Sequence, residues 1–119
     1  MRVRLGDIAA ARSGDKGNHA NIGVIPHTRA AYLFLQRVLT SEVVTKYFHR
    51  LNPNTVTRYD MPNLESFNFV LENVLGGGGS LSLRLDSQGK ALGQCLLALT
   101  LEIPAEELLQ CLPIPGETR

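Results

Sequence analysis

Residues 11–23 hold the densest group of side chains in this sequence that could do chemistry. The stretch reads Ala-Arg-Ser-Gly-Asp-Lys-Gly-Asn-His-Ala-Asn-Ile-Gly and contains seven polar residues between two runs typical of β-strands. A hairpin turn needs only about two to five residues of this chemistry. We therefore interpret the stretch as a polar loop that forms a site as well as a turn.

The chemistry that this stretch favours is anion binding. Glycines expose backbone N–H groups, which hold phosphate or carboxylate in a nest, and Lys16 or Arg12 would add positive charge. A second glycine run, Gly76 to Gly79, would complete the site if the fold brings the two together. The alternative is a rigid loop that satisfies itself, with Asp15 and Asn18 capping its own backbone. The candidate ligand-binding residues are Arg12, Ser13, Gly14, Gly17, Asn18, Asn21, Asn68, Gly76, Gly77, Gly78 and Gly79.

Asp15 and Lys16 are the candidate catalytic residues, as a general acid–base pair. A desolvated lysine can titrate near neutrality, whereas a surface ion pair is the ordinary alternative. Asn21 and Asn68 could orient a carbonyl group, or Asn68 could hydrogen-bond to a loop.

Other catalytic and metal chemistry is not indicated. The three histidines are scattered without zinc-like spacing, and there is no Walker loop and no Gly-x-Ser-x-Gly elbow. An iron–sulfur cluster usually needs four cysteines, and the chain has two. We expect no metal and no cofactor.

Composition excludes several classes of partner. The net charge is +1, with 12 Lys and Arg against 11 Asp and Glu, so neither nucleic acid nor an anionic membrane surface is expected to attract the chain. No signal peptide or membrane span is apparent, which predicts a cytoplasmic protein. Cys95 and Cys111 are expected to be buried, reduced thiols; a disulfide is the alternative.

Hydrophobic periodicity predicts the order β-β-α-α-β-α-β-β. The expected strands cover residues 2–9 (with a bulge at Gly6), 20–25, 55–60, 81–85 and 95–103. The expected helices cover 31–38 and 41–51 (two helices or one kinked helix), 63–74, and a short turn at 104–109. The fold class is α+β: a ferredoxin-like sandwich with an antiparallel or mixed sheet and the helices on one face. Residues 1–104 would form one domain, and 105–119 a short helical turn and a mobile tail.

Three segments of the chain resemble a known family. They are residues 11–18 with 20–23, residues 62–64 with 68–71, and residues 75–79 with 82–84 and 88–90. They are similar to the ferredoxin-like C-terminal domain of acyclic terpene utilisation (AtuA) proteins, which also occurs as a free-standing small protein. The resemblance implies a role in the breakdown of branched or terpenoid acids as coenzyme A thioesters. It also implies an AtuA-type large domain as partner, and the 119 residues contain no counterpart of that domain.

Three functions stay open, and the sequence does not decide whether the chain is an enzyme. The first is a binding subunit that contacts an AtuA-type large domain, or holds an anionic or acyl-coenzyme A ligand against it. The second is a stand-alone lyase, hydratase or isomerase in which Asp15 and Lys16 transfer protons. The third is a purely structural oligomerisation domain. Unprotected sheet edges make a homo-oligomer the expectation under each of them.

Overall fold

The computed structural model describes residues 1–16, 19–51, 53–72 and 92–113, with the backbone alone at Asp15 and Lys16. Within these ranges the strands are β1 (Arg2–Arg4), β2 (Ala9–Lys16), β3 (His19–Pro26), β4 (Val56–Met61), β5 (Ser66–Leu71) and β6 (Thr100–Glu102). The helices are α1 (Leu5–Ile8), α2 (Arg29–Val38), α3 (Ser41–Tyr47), α4 (Leu92–Leu96) and α5 (Ala105–Cys111), and a 3₁₀ turn covers His49–Leu51.

A four-stranded antiparallel sheet in the order β2-β3-β5-β4 forms the centre of the fold. In β3, Ala20, Ile22 and Val24 are buried and alternate with more exposed residues, which is the period of a half-buried strand. The expected second strand is therefore confirmed. A separate pair, β1 with β6, places Val3 opposite Leu101.

The prediction of a polar loop over residues 11–23 is wrong. These residues form most of a long hairpin, in which β2 and β3 pair from Ala9 and Pro26 through to Lys16 and His19. Each arm satisfies the backbone hydrogen bonds of the other, so a high content of polar side chains does not prevent strand formation.

The predicted helix over residues 63–74 is also wrong where the structure describes it. Residues 66–71 form β5, an inner strand between β3 and β4. Phe67, Phe69 and Leu71 are buried at every second position. The i, i+3, i+4 stripe that indicated a helix shares Phe67 and Leu71 with this period-two pattern, and pairing on both edges selects the strand.

The predicted return strand over residues 95–103 is only partly correct. Leu92–Leu96 is helical, and only Thr100–Glu102 is a strand. Leu92 and Leu96, one helical turn apart, are buried, whereas Cys95 is exposed. Burial of this one side of α4 replaces the expected alternation.

The expected first strand over residues 2–9 is divided. Leu5–Ile8 is a short helix in which Asp7 accepts the backbone N–H of Arg4 at 3.0 Å, and Gly6 lies in this helix rather than in a bulge. A Cβ at Gly6 would lie 3.2 Å from the Leu97 carbonyl oxygen, so glycine allows α1 to pack closely against the end of α4.

The helices before β4 are confirmed, and they are two. The Thr28 and Thr40 hydroxyls cap α2 and α3 by accepting the N–H groups of Ala31 and Val43. The helical turn after Pro104 is confirmed as α5.

The three helices α2, α3 and α4 pack on one side of the sheet. Tyr32 of α2 stacks on Phe67 and donates to Asp60 of β4, while Gly93 of α4 donates to Ser13 of β2. The α+β class, the antiparallel sheet and the helices on one face are confirmed, although the order of elements differs from the predicted one.

Several expectations fall outside the described residues. These are the glycine run at 76–79, the strand at 81–85, the turn at 87–90 and most of the C-terminal tail. They stay predictions, as does the division into residues 1–104 and 105–119.

Candidate functional site

The strand register sorts the central sheet into two faces. One row of paired residues, Ser13, Ile22, Phe69 and Arg58, points toward the helices. The neighbouring row is Arg12, Gly23, Asn68 and Tyr59, and because side chains alternate along a strand it lies on the opposite side, which we call the open face. Arg12 and Tyr59 are both exposed there.

Of the side chains that the structure describes, Arg12 supplies the permanent positive charge of the open face. It lies on β2 opposite Gly23, and its guanidinium makes no hydrogen bond or ion pair with any residue that the structure describes. Arg2, Arg29, Arg37 and Arg58 are bound to glutamates or backbone carbonyls, whereas the exposed Arg50, like Arg12, has no such partner among the described residues. Arg12 is therefore placed to bind something outside this part of the chain.

Asn21 and Asn68 form an amide pair beside Arg12. The Asn21 Nδ2 donates to Asn68 Oδ1 at 3.4 Å, across the β3–β5 pairing. Gly14 faces Asn21, and a Cβ there would approach Asn21 Oδ1 to 3.3 Å. Glycine at position 14 therefore leaves room for the Asn21 side chain to lie between β2 and β5. The predicted bond from Asn68 to a loop is replaced by this bond between strands.

Gly23 leaves the centre of the open face without a side chain. A Cβ at this position would meet only the Arg12 carbonyl oxygen at 3.8 Å, an ordinary contact, so packing does not require glycine here. Arg12 and Asn68 lie on either side of it, on strands about 10 Å apart. The result is a shallow floor bordered by a guanidinium and two carboxamides.

Ser13 has a structural contact instead of a place on the open face. Its Oγ accepts the backbone N–H of Gly93 at 3.0 Å, near the start of α4. A Cβ on Gly93 would lie 3.2 Å from this oxygen and 3.4 Å from the Arg12 carbonyl carbon, so α4 approaches β2 as closely as a glycine allows.

The candidate catalytic residues are described only in backbone. Asp15 pairs with Ala20 and Lys16 with His19 near the end of the hairpin. Gly17, Asn18 and the four glycines 76–79 lie outside the described residues, so their meeting at one site stays a prediction. Of the eleven candidate ligand-binding residues, the structure brings Arg12, Gly14, Asn21 and Asn68 together.

The two cysteines are free and have opposite environments. Cys111 is buried, and burial raises the pKa of its thiol. Cys95 is exposed, which corrects the expectation that both thiols are buried, and its backbone carbonyl accepts a hydrogen bond from the Tyr47 hydroxyl. Burial also raises the pKa of Tyr47.

In the described ranges no three His, Cys, Asp or Glu side chains converge as a metal site would require. None of the helices in these ranges combines the length and apolar character needed to cross a membrane.

Gly23, Tyr59 and Gly93 were missed by reasoning from the sequence. A signal for Gly23 was present, because Gly17-Asn18 is a dipeptide typical of two-residue hairpin loops. Counting back from such a loop places Arg12 opposite Gly23. No comparable signal existed for Gly93, whose contact with Ser13 spans 80 residues.

Comparison with known proteins gives the family. The family model of the AtuA ferredoxin-like domain matches residues 3–102 of the 119. Neither the curated proteins nor the solved structures gave a match. The match includes both strands of the long hairpin and β5, which together carry Arg12, Asn21, Gly23 and Asn68. The chain belongs to the AtuA ferredoxin-like domain family.

Proposed function

We propose that this domain is a non-catalytic binding module of the cytoplasm that acts with an AtuA-type large domain. The process would be the breakdown of branched or terpenoid acids as coenzyme A thioesters, as the family resemblance implies. Within the domain, the observation that carries the proposal is Arg12, an exposed guanidinium with no partner among the described residues.

The chemistry of the open face fits a carboxylate or a phosphate. A guanidinium has five N–H donors in a planar fork that matches both anions, and it stays charged at every physiological pH. The Asn21–Asn68 pair adds carboxamide donors and acceptors beside it. The side chain missing at Gly23 lets a ligand or a partner's side chain approach the backbone of the sheet.

The anion would reach this face at the junction between the domain and its partner. It would be either a carboxylate side chain of the large domain or an anionic group of an acyl-coenzyme A ligand held between the two. In both cases removal of the Arg12 charge weakens the association, because a charge-assisted hydrogen bond is lost.

Titration calorimetry of this chain against an AtuA-type large-domain protein tests the proposal, without and then with a branched acyl-coenzyme A. We expect Arg12→Ala to weaken binding at least tenfold. If the effect appears only with the thioester present, the anion belongs to the ligand; if it appears in both titrations, the anion belongs to the large domain.

Arg50→Ala is the matched control. Arg50 is also an exposed arginine, but it lies in the 3₁₀ turn after α3, away from the open face. Equal binding by wild type and Arg12→Ala, or no association of wild type in either titration, would contradict the proposal.

The stand-alone enzyme stays a prediction from the sequence, since only the backbone of Asp15 and Lys16 is described. Turnover of an acyl-coenzyme A by the isolated wild-type chain, lost when both residues are replaced by Ala, would favour it.

A further inference from the structure

Among the described strands, β4 is an edge of the central sheet, and its outer side pairs with none of them. Residues of an edge strand alternately turn their N–H and C=O groups toward the neighbour and away from it. The Glu72 N–H donates to the Thr55 carbonyl, and this bond sets the alternation. Val56, Arg58 and Asp60 therefore turn their backbone groups outward.

We propose that this edge pairs with the same edge of a second copy of the chain, in an antiparallel ladder centred on Tyr59. The four-stranded sheets of two copies would then join into one sheet of eight strands. Tyr59 lies on the open face, but β4 and the β2 strand that carries Arg12 are at opposite edges of the described sheet, and the proposal does not depend on the binding function.

Charge complementarity indicates both which strand pairs with the outer side of β4 and in which register it does so. With Tyr59 opposite Tyr59 of the second copy, a two-fold axis (the dyad) passes between the two tyrosines. Arg58 of each chain then lies opposite Asp60 of the other, so two ion pairs form, one on each side of the dyad. Registers centred on Arg58 or on Asp60 would place like charges opposite each other, which destabilises strand pairing. A foreign strand would have to supply the same alternation of charges, whereas a second copy supplies it by symmetry.

Arg58 and Asp60 still have hydrogen-bond donors and acceptors that could form these ion pairs with the second copy. Both described bonds of the Arg58 guanidinium, to the Gln36 and Leu39 carbonyl oxygens, come from Nη1 at 3.0 Å. Asp60 accepts from Tyr32 and Gln36, and a carboxylate has about four acceptor sites. An inward-pointing charge usually protects an edge from pairing, but here each charge meets its opposite across the dyad.

The backbone pattern agrees with the same register. Arg58 and Asp60 both turn their N–H and C=O groups outward, so together they form a hydrogen-bonded pair across the dyad. Tyr59 then occupies a non-hydrogen-bonded position, where side chains approach closely and aromatic pairs are favourable. The Tyr59 side chain is 54% exposed in the single chain.

A groove beside the edge is open to receive the second copy. Two adjoining open depressions of about 430 and 420 Å³ lie between α3 and β4 and share Ser41, Glu42 and Val56. In the proposed register Val56 lies opposite Pro62 of the second copy, which brings the turn after β4 to this groove. Leu64 in that turn is 66% exposed in the single chain, so in the proposed dimer the turn brings an exposed apolar side chain toward the second copy.

Sedimentation equilibrium at about 100 μM is the first test. We expect twice the chain mass of 13.0 kDa, and a monomer at this concentration overturns the proposal. Tyr59→Glu should raise the dimer dissociation constant at least tenfold, because it places two carboxylates together at the dyad. Leu33→Glu, on an exposed position of α2, is the control and should leave the constant unchanged.

Cysteine cross-linking then tests the register, in a Cys95→Ser background that removes the exposed native thiol. Tyr59→Cys should give a disulfide-linked dimer under mild oxidation, since Cα atoms of such a pair lie about 4.5 Å apart, within disulfide range. Thr57→Cys should not, because the two copies of residue 57 would be about 13 Å apart. A dimer that does not cross-link through Tyr59→Cys, or that cross-links through Thr57→Cys, overturns the proposed interface.

Discussion

The two faces of the central sheet differ although the same four strands supply both. On the face toward the helices, Ile22, Phe67 and Phe69 are fully buried. On the open face, Arg12 and Asn21 are exposed and Asn68 is half-buried. The buried residues on the face toward the helices supply the apolar packing that folding requires. The exposed residues on the open face contribute little to that packing. Polar groups on the open face are therefore available to solvent or, as we propose, to a binding partner.

The largest expected effect is on the buried face. Phe69→Ala removes a fully buried ring opposite Ile22, and such truncations cost about 3–5 kcal/mol because they remove apolar burial and leave a cavity. Asn68→Ala, one residue away on the open face, is the matched control and should change the free energy of unfolding by less than about 0.5 kcal/mol. Urea denaturation measures both, and equal losses would contradict the division into two faces.

The next effect compares two glycines. Gly93→Ala forces a Cβ to 3.2 Å from Ser13 Oγ where α4 meets β2, and overpacking of this kind costs about 1–3 kcal/mol. Gly23→Ala on the open face adds only an ordinary contact and should leave the urea midpoint nearly unchanged. The same Gly23→Ala variant should weaken binding of the large domain in the titration described above. A Gly23→Ala variant that unfolds at lower urea concentration than Gly93→Ala would contradict the conclusion that packing requires glycine at position 93 but not at position 23.

The smallest effect concerns a polar network on the helix-covered face. The Tyr32 hydroxyl donates to Asp60 at 2.6 Å, and this bond, followed by burial, raises the pKa of Tyr32 above its usual value of 10.0. The folded state therefore holds the Tyr32 proton more tightly than the unfolded state does. The resulting stabilisation is complete below about pH 10 and is lost as the pH rises through the raised pKa.

Tyr32→Phe should lower the urea midpoint by less than Gly93→Ala does and should flatten the alkaline loss of stability. Denaturation from pH 8 to 11 measures this. Tyr47 and Cys111 also have raised pKa values, so they too contribute a loss of stability as the pH rises. This contribution is the same in the wild type and in Tyr32→Phe. The difference between the two pH profiles therefore reports Tyr32 alone. Parallel profiles would show that the Tyr32 proton is not held by the fold.

The spacing of apolar residues predicted the secondary structure correctly where it fits only one period, either that of a helix or that of a strand. The apolar residues 31, 34, 35 and 38 fit a helix and do not fit a strand, and α2 is found there. Around Phe67 and Leu71 both periods fit, and the choice depends on β3 and β4, which are distant in sequence. At Leu92–Leu96 the helix depends on close packing against β2, which local sequence does not encode.

The candidate site was predicted in composition but not in arrangement. Arg12, Asn21 and Asn68 were selected as polar residues of binding type, and the register places all three on one face. Their proximity follows from strand pairing across 47 residues between Asn21 and Asn68. Ser13 was selected by the same composition, yet alternation along β2 turns it to the other face, where it bonds to Gly93.

The hydroxyl of Thr28 joins the beginning of α2 to the end of α5. It accepts the Ala31 N–H at 3.1 Å and donates toward the carbonyl oxygens of Gln110 and Cys111, at 3.3 and 3.2 Å. The buried Cys111 thiol thus lies in the helical segment that this hydroxyl fastens. The rate at which the Cys111 thiol reacts with an aqueous thiol reagent therefore measures how often α5 separates from α2. The exposed Cys95 thiol of the same molecule supplies the reference rate for an unprotected cysteine.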